Sequence, residues 1–329
     1  MSNVLERIAL LADLPPPARS ELRGIARPFQ VGSGAFLFRQ GDPPSGLFLL
    51  GEGLLEITSR MPGDDTSMVS RIAPGEVVGE FALLDNGLRS ANVRAVERSS
   101  GLFVPARAFL ALLGDARPGA VGAIDALRAL VARRTRATLE RIVAGELAEP
   151  SELRAAPVAG PAEPVALTYD MIRSLGRFAR LDDAACAALC TCATAAQVTR
   201  GAALFKAGSP ADAALFVMRG AVRAGIGRAG IGRADGRVEQ VAVHGPGEWA
   251  GLVALIDGGL QPLSAAAAET SIVLRIERAT FDGWRRAPDR LGQAVLNGID
   301  RQLVKDQRRA NRHLGRAIAL ERFNAAGGQ

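Results

Sequence analysis

The segment GEFALLDNGLRSA, residues 79–91, joins a Gly-Glu pair to an Arg-Ser-Ala triplet through an apolar turn. Short apolar runs bounded by Gly and Pro surround it, for example residues 46–58 before it and 101–106 after it. Runs of about five to eight residues of this kind predict strands separated by turns, as in a small antiparallel barrel or jelly roll. The acid and the base at the two ends of the segment are therefore expected to be held by one barrel.

The chain contains an internal repeat. Residues 38–57 align with 205–224 at an offset of 167 positions, and residues 73–91 align with 245–263 at an offset of 172. A longer loop in the second copy, GIGRAGIGRADG, accounts for the difference. Self-similarity of this kind predicts two copies of one structural unit.

Helical stretches precede and follow each copy, and residues 147–166 contain four prolines with little periodicity. Such a composition indicates a linker. We therefore expect a first domain at 1–146, a linker at 147–166 and a second domain at 167–329. The expected fold class is mainly β with flanking helices: two tandem β jelly rolls, each followed by long α-helices.

The stretch GEFALLDNGLRSANVRA, preceded by the Gly-rich turn of QGDPPSGLFLL, resembles the cyclic-nucleotide-binding domain. That domain occurs in the bacterial cAMP receptor protein, in protein kinase A regulatory subunits and in cyclic-nucleotide-gated channels. The resemblance covers nearly all of residues 5–146, and the second copy resembles the same domain in outline across about 170–322. It implies a cyclic nucleotide, cAMP or cGMP, as the ligand.

The resemblance implies that the ligand binds against residues 79–91, and the chemistry of the side chains in this segment agrees. Arg89 supplies a planar, always-charged fork for the phosphate oxygens, and Glu80 is an acceptor for the ribose 2′-hydroxyl. Gly79 allows a close backbone approach, and the turn that follows can direct N–H groups at the phosphate. The implied ligand-binding residues are Gly79, Glu80, Phe81, Ala82, Arg89, Ser90, Ala91 and Thr138. The alternative is a solvated surface pair of Glu80 and Arg89 in an empty barrel.

Thr138 enters this set from the helix that follows the barrel, VARRTRATLERIV at 131–143. In the bacterial receptor protein such a helix covers the base, and Thr138 falls where the family uses a hydroxyl on the adenine edge. Leu139 departs from the pattern, because the family has a second hydroxyl there. A surface threonine on an amphipathic helix is the alternative. An apolar stripe on this helix predicts a partner helix and a homodimer; it comprises Leu127, Leu130, Val131, Thr138, Leu139 and Ile142.

The second copy lacks the charged pair. Leu252 stands in the position of Glu80 and Gln261 in that of Arg89, with Pro262 and Leu263 after it. A phosphate would meet no cation there, so we expect this domain to keep the fold without binding a nucleotide. Trp249 is expected in its core or in the vacated pocket.

The sequence contains no pattern typical of an enzyme. There is no Ser/His/Asp grouping, paired-carboxylate motif or P-loop, and GIGRAG at 225–230 precedes a strand rather than a helix. The cysteines Cys186, Cys190 and Cys192 have no histidine near them in sequence, so no zinc site is expected. We predict no catalytic residue, no metal and no cofactor.

The chain carries a net charge of +6, and ten Arg/Lys against four Asp/Glu place that excess in residues 285–329. No apolar run is long enough to span a membrane, and the absence of a signal peptide together with three cysteines predicts a cytoplasmic protein. We expect a cyclic-nucleotide sensor that regulates a protein partner of unknown identity and lacks a helix-turn-helix. The alternatives are an assembly module with ligand-free barrels, or a transcription regulator that contacts DNA through the basic C-terminal helix.

Overall fold

The computed structural model describes residues 16–60, 66–114, 117–144, 162–176, 178–227 and 238–327. The chain forms two compact units, with the boundary between Val131 and Ala132. That boundary lies within a helix, whereas the sequence predicted a domain end at residue 146. Residues 132–144 pack with the second unit because their apolar side chains are buried in its core.

The first unit consists of eight strands and the helices around them. In chain order its elements are α1 (Pro16–Ile25), β1 (Arg27–Val31), β2 (Phe36–Phe38), β3 (Gly46–Glu52), β4 (Leu55–Arg60), β5 (Thr66–Ile72), β6 (Val77–Val78), α2 (Phe81–Leu84), β7 (Asn92–Ala95), β8 (Ser99–Pro105), α3 (Ala106–Gly114) and α4 (Pro118–Ala144). The strands pair as two four-stranded sheets, in the orders β1-β8-β3-β6 and β2-β7-β4-β5. All these pairings are antiparallel, which confirms the predicted jelly roll.

The second unit repeats this arrangement. Its elements are β9 (Ala162–Val165), α5 (Tyr169–Ser174), α6 (Asp183–Cys192), β10 (Ala193–Val198), β11 (Ala203–Phe205), β12 (Ala213–Arg219), β13 (Val222–Gly227), β14 (Val238–His244), β15 (Trp249–Ala250), α7 (Leu252–Asp257), β16 (Ser264–Ala267), β17 (Ser271–Glu277), α8 (Arg278–Arg286) and α9 (Arg290–Gly327). The sheet orders are β15-β12-β17-β10-β9 and β11-β16-β13-β14. Each strand from β10 to β17 occupies the place of its counterpart from β1 to β8.

Strand β9 corrects the predicted linker. It occupies residues 162–165, within the predicted linker 147–166, and pairs antiparallel with β10. Pro164 is tolerated there because β9 is the edge strand of its sheet, where a missing N–H leaves no partner unsatisfied. Residues 145–161 lie outside the described part of the chain.

Tight turns in the two units use glycines at equivalent positions. Gly53 and Gly220, separated by 167 residues, have φ values of 92° and 82°. A Cβ on Gly53 would lie 2.7 Å from the carbonyl oxygen of Arg98, and one on Gly220 would lie 2.8 Å from that of Thr270. A side chain is therefore excluded both by the backbone conformation and by the neighbouring strand end.

Aromatic side chains fill part of each core. In the first unit Phe48 packs on Phe29 and Phe103, with ring centroids 5.2 and 4.7 Å apart. In the second unit Phe216 packs on Phe178 and Trp249, at 5.2 and 4.8 Å. Trp249 is fully buried, which confirms its predicted core position.

A charged cluster in the second unit surrounds the buried His244. The carboxylate of Glu248 accepts hydrogen bonds from Arg309 at 3.1 and 3.2 Å and pairs with Lys305. His244 lies with Nδ1 3.7 Å from Glu248, and that nitrogen is buried without a hydrogen-bond partner among the described residues. Burial, aided by Arg309 and Lys305 against the opposing effect of Glu248, lowers the pKa of His244 to about 4. The imidazole is therefore neutral at pH 7.

We expect Gly53→Ala and Gly220→Ala each to lower the free energy of unfolding by about 1–3 kcal/mol, because alanine at positive φ is strained and its Cβ meets backbone. Gly32→Ala is the matched control, since a Cβ there meets no atom within 4 Å. Urea unfolding measures the differences. Equal stability of Gly53→Ala and Gly32→Ala would contradict the expectation.

The burial of His244 predicts an acid-sensitive fold. The unfolded histidine titrates near 6.5 and the folded one near 4, so the unfolded state binds more protons between these values. The free energy of unfolding should therefore fall as the pH is lowered from 6.5 to 4. In His244→Gln this fall should be smaller, by up to about 3 kcal/mol. Urea unfolding between pH 4 and 7 tests this, with His313→Gln as the control. A pH profile unchanged by His244→Gln would refute it.

Candidate functional site

Arg89 forms the centre of the predicted site, and its side chain is 5% exposed. Its Nη2 donates to the carbonyl oxygen of Gly46 at 2.8 Å and to the hydroxyl of Ser45 at 2.9 Å. Its Nη1 donates to the carbonyl oxygen of Gly79 at 3.2 Å. The guanidinium is thus held between the start of β3 and the end of β6.

Gly79 makes this position possible. It has a φ of 89°, and a Cβ on it would lie 2.5 Å from Nη1 of Arg89 and 3.0 Å from the carbonyl oxygen of Gly46. Glycine at position 79 therefore leaves the space that the guanidinium of Arg89 occupies, and the approach of a ligand to this backbone stays a prediction.

The backbone of Arg89 is fixed as well. Its N–H donates to the carbonyl oxygen of Asp42 and its carbonyl oxygen accepts from the N–H of Gly41, both at 2.9 Å. The ring of Phe38 lies under the guanidinium, 4.0 Å from its central carbon. The face of the ring carries partial negative charge and therefore attracts a cation in this position.

The electrostatic environment of Arg89 reflects its burial. Desolvation lowers the pKa of Arg89 from its usual value, while Glu80 and Asp42 act in the opposite direction. The group remains charged at neutral pH because arginine is not deprotonated in proteins. Its Nε–H is buried and has no acceptor among the described residues. A buried donor of this kind calls for an acceptor from outside the chain.

Glu80 and the turn after it lie in the same place. Glu80 is 5% exposed and precedes the four-residue helix α2, whose first residue is Phe81. Ala82 is the second residue of α2, and its side chain lies outside the described part of the structure. Ser90 and Ala91 follow Arg89 directly and are half-buried. Seven of the eight predicted residues are thus in one segment that bends back on itself.

The eighth residue, Thr138, belongs to the second unit, and its hydroxyl donates to the carbonyl oxygen of Arg134 at 2.9 Å. The same hydroxyl lies 3.4 Å from Nε2 of Gln307 in α9. Its expected position on an adenine edge stays a prediction.

The second unit keeps the backbone of the site without its charges. Gln261 takes the place of Arg89: its N–H donates to Ser209 at 2.8 Å and its carbonyl oxygen accepts from Gly208 at 2.9 Å. Its side-chain amide approaches the carbonyl oxygen of Gly251 at 3.5 Å. Leu252, in the place of Glu80, is 2% exposed. The backbone hydrogen bonds of Gln261 thus repeat those of Arg89, between residues that the sequence offsets of 167 and 172 make equivalent.

A cavity of about 50 Å³ adjoins these residues. Its lining includes Leu252 and Gln261 of the second copy, Leu139 of α4 and Arg309 of α9. A cavity of about 150 Å³ is needed to hold benzene. The space beside Gln261 is therefore too small for a nucleotide in this conformation.

Sequence reasoning missed the groups that hold Arg89. Ser45, Gly46 and Phe38 lie more than 40 positions before it and contact it only once the barrel closes. Ser45 and Gly46 belong to the Gly-rich turn QGDPPSG, which the sequence analysis interpreted as a turn and not as part of the site.

Within the described ranges, no cluster of three or more His, Cys, Asp or Glu side chains is arranged to hold a metal ion. The three cysteines are free thiols; Cys186 is buried and the other two are half-buried. Of the helices in the described part of the chain, none has the length and apolarity needed to cross a membrane.

Known proteins share parts of this chain. Human cGMP-dependent protein kinase 2 is 28% identical over 103 residues, which are 31% of this chain and 14% of the kinase. The cAMP-dependent protein kinase regulatory subunit of Dictyostelium discoideum is 30% identical over 95 residues, which are 28% of this chain and 29% of the subunit. The chain thus spans less than a third of the length of these curated relatives.

Among solved structures, the regulatory domain of Toxoplasma gondii PKA with cAMP is 18% identical, with a TM-score of 0.32. The match covers 86% of this chain and 91% of that one.

The family described as the cyclic nucleotide-binding domain matches two segments, residues 28–115 and 196–286, one in each unit. Together these segments make up more than half of the 329 residues. They include the strands β2 to β8 and β11 to β17, and the first contains both Glu80 and Arg89. The chain therefore belongs to the cyclic nucleotide-binding domain family, with two copies of the domain in tandem.

Proposed function

We propose that the chain is a non-enzymatic cyclic-nucleotide sensor that binds one cAMP or cGMP in its first domain. The observation that carries the proposal is the buried guanidinium of Arg89, whose Nε–H has no acceptor among the described residues. A phosphodiester anion would provide a negatively charged acceptor for this N–H. The relatives named as cGMP- and cAMP-dependent kinases and regulatory subunits support a ligand of this class.

Glu80 supports the proposal for the ribose. It is buried at the start of α2, nine positions before Arg89, and its negative charge acts to raise the pKa of Arg89. A carboxylate accepts hydrogen bonds and cannot donate them when ionised. It therefore suits a free 2′-hydroxyl and opposes a second phosphate at that position. Gly79, Phe81, Ala82, Ser90 and Ala91 complete the proposed site.

The second domain is proposed to bind no cyclic nucleotide. Gln261 offers an amide in place of a cation, and Leu252 offers no acceptor. Taking a phosphate out of water is costly unless a charge or several hydrogen bonds replace the lost hydration. One ligand per chain is the expected stoichiometry.

The basic C-terminal helix gives less support to the alternative of a DNA-binding regulator. Within the second unit, Lys305 pairs with Glu248 and Arg290 pairs with Asp182. Among the described side chains of the helix, Arg301, Arg312 and Arg316 are exposed as well. Apart from the two paired residues, these three exposed cations are a small electrostatic footprint for a nucleic-acid surface.

Regulation of a protein partner is the proposed output. Helix α4 begins in the unit that contains Arg89 and ends in the other unit. A ligand changes the balance between two arrangements only by its different affinity for them. We propose that nucleotide binding changes the conformation of α4 and so reorients the second domain. We also propose that the protein acts in the cytoplasm.

Arg89→Ala should weaken nucleotide binding by about 2–5 kcal/mol, because it removes the side-chain cation from a desolvated phosphate. Gln261→Ala is the matched control at the equivalent position and should leave affinity unchanged. Isothermal titration of each variant with cAMP and with cGMP measures affinity and stoichiometry, and the wild type identifies the preferred nucleotide.

Two results of that titration would overturn the proposal. Unchanged affinity in Arg89→Ala would remove Arg89 from the site, and two bound nucleotides would show that the second domain also binds. No binding of either nucleotide would favour the assembly module. A salt-dependent DNA shift would favour the regulator.

Nucleotide binding should change hydrogen exchange beyond the site. We expect protection to increase at residues 79–91 and to change along 118–144, because α4 carries the proposed signal. Arg89→Ala should show neither effect at the same nucleotide concentration. Changes confined to residues 30–95 in the wild type would refute the role of α4.

A further inference from the structure

Helices α4 and α9 are equivalent elements of the repeat. They begin at Pro118 and Arg290, and the helices before them begin at Ala106 and Arg278. Both pairs are 172 positions apart, the same offset that relates Arg89 to Gln261. A residue of α4 is therefore matched to the residue of α9 that lies 172 positions later.

Equivalent residues meet one another where residues 132–144 contact α9, and both segments belong to the second unit. The hydroxyl of Thr135 donates to Oε1 of Gln307, its equivalent, at 2.6 Å. One turn further along, the hydroxyl of Thr138 lies 3.5 Å from Oδ1 of Asn311. Because both residue numbers rise together, the two helices run parallel.

Apolar side chains at equivalent positions of α4 and α9 also lie together. Ile142 and its equivalent Leu314 are both buried in one core cluster, together with Leu139 and Ala310. Thr135 and Ile142 are seven residues apart, the spacing at which a helix returns the same face to a parallel partner. A residue that meets its own equivalent is the signature of a local two-fold axis between identical surfaces. Here the two surfaces are copies of one repeat.

Arg136 holds residues 132–144 against the second barrel. Its Nε and Nη2 donate to the carboxylate of Asp257 at 2.6 and 2.8 Å, and its Nη1 donates to the carbonyl oxygen of Leu260 at 2.7 Å. A Cβ on Gly259 would lie 2.6 Å from Nη2, so glycine leaves the space that the guanidinium uses. The bidentate pair fixes the orientation of the helix as well as its position.

We propose that the second repeat serves as a built-in partner subunit, and that its helix α9 is the docking surface for residues 132–144 of the same chain. The part of the predicted stripe that lies in residues 132–144 finds its partner helix in α9. The homodimer expected through these helices is replaced by pairing within one chain. The contacts that carry this pairing involve none of residues 79–91, so the pairing stands or falls separately from nucleotide binding in the first domain.

Cross-linking tests the pairing. Thr135→Cys and Gln307→Cys are combined in a chain in which Cys186, Cys190 and Cys192 are alanine, and the two thiols, which are buried against each other, are oxidised to a disulfide cross-link with copper–phenanthroline. We expect a 135–307 cross-link in a product with the mass of one chain, 34.4 kDa, on a non-reducing denaturing gel. The control combines Thr135→Cys with Arg301→Cys, which is exposed on α9, and should give no such product.

A 135–307 cross-link in a product of twice that mass would overturn the proposal, and so would the absence of that cross-linked peptide. The wild type provides a second measurement that needs no cysteine changes. Exchange protection of residues 132–144 should stay constant on dilution from tens of micromolar to below one micromolar, because pairing within a chain is independent of concentration. Loss of that protection on dilution would show pairing between chains.

Discussion

The first domain depends on one buried cation that the chain itself only partly satisfies. Removing a guanidinium from water is costly unless hydrogen bonds replace its hydration. Arg89 receives three acceptors from Ser45, Gly46 and Gly79, and an aromatic face from Phe38. Each of these contacts depends on a turn or strand end in its place, so the position of the charge is fixed by several parts of the barrel. The Nε–H of Arg89 is buried without an acceptor among the described residues.

The second domain shows what remains when the charge is removed. Gln261 makes the same two backbone hydrogen bonds as Arg89, and Gly251 keeps a positive φ like that of Gly79. The second barrel therefore folds without the charged pair. Its apolar surface contributes to another contact, since Leu139 and Ile142 of α4 join its core.

The strands and the tandem repeat were predictable because apolar runs between Gly and Pro report local structure. The approach of Arg89 to Gly79 was also predictable, since both lie in one short segment. Ser45 was not, because a contact across 44 positions depends on how the barrel closes. The contact of Thr138 with Gln307 was not predictable for a related reason: periodicity identifies a buried helix face, but it does not identify the neighbour that covers that face. Pro164 was read as a linker residue because only the finished sheet shows that its strand is at an edge.

The surroundings of Gln261 differ from those of Arg89 at more than one position. The positions equivalent to Ser45 and Gly46 hold Asp212 and Ala213, and Asp212 pairs with Arg275 at 3.1 Å. An arginine placed at position 261 alone would meet a carboxylate instead of the hydroxyl and a methyl group instead of the glycine hydrogen. The surroundings of Arg89 come from three separate parts of the chain, so they can be transplanted into the second barrel only as a set.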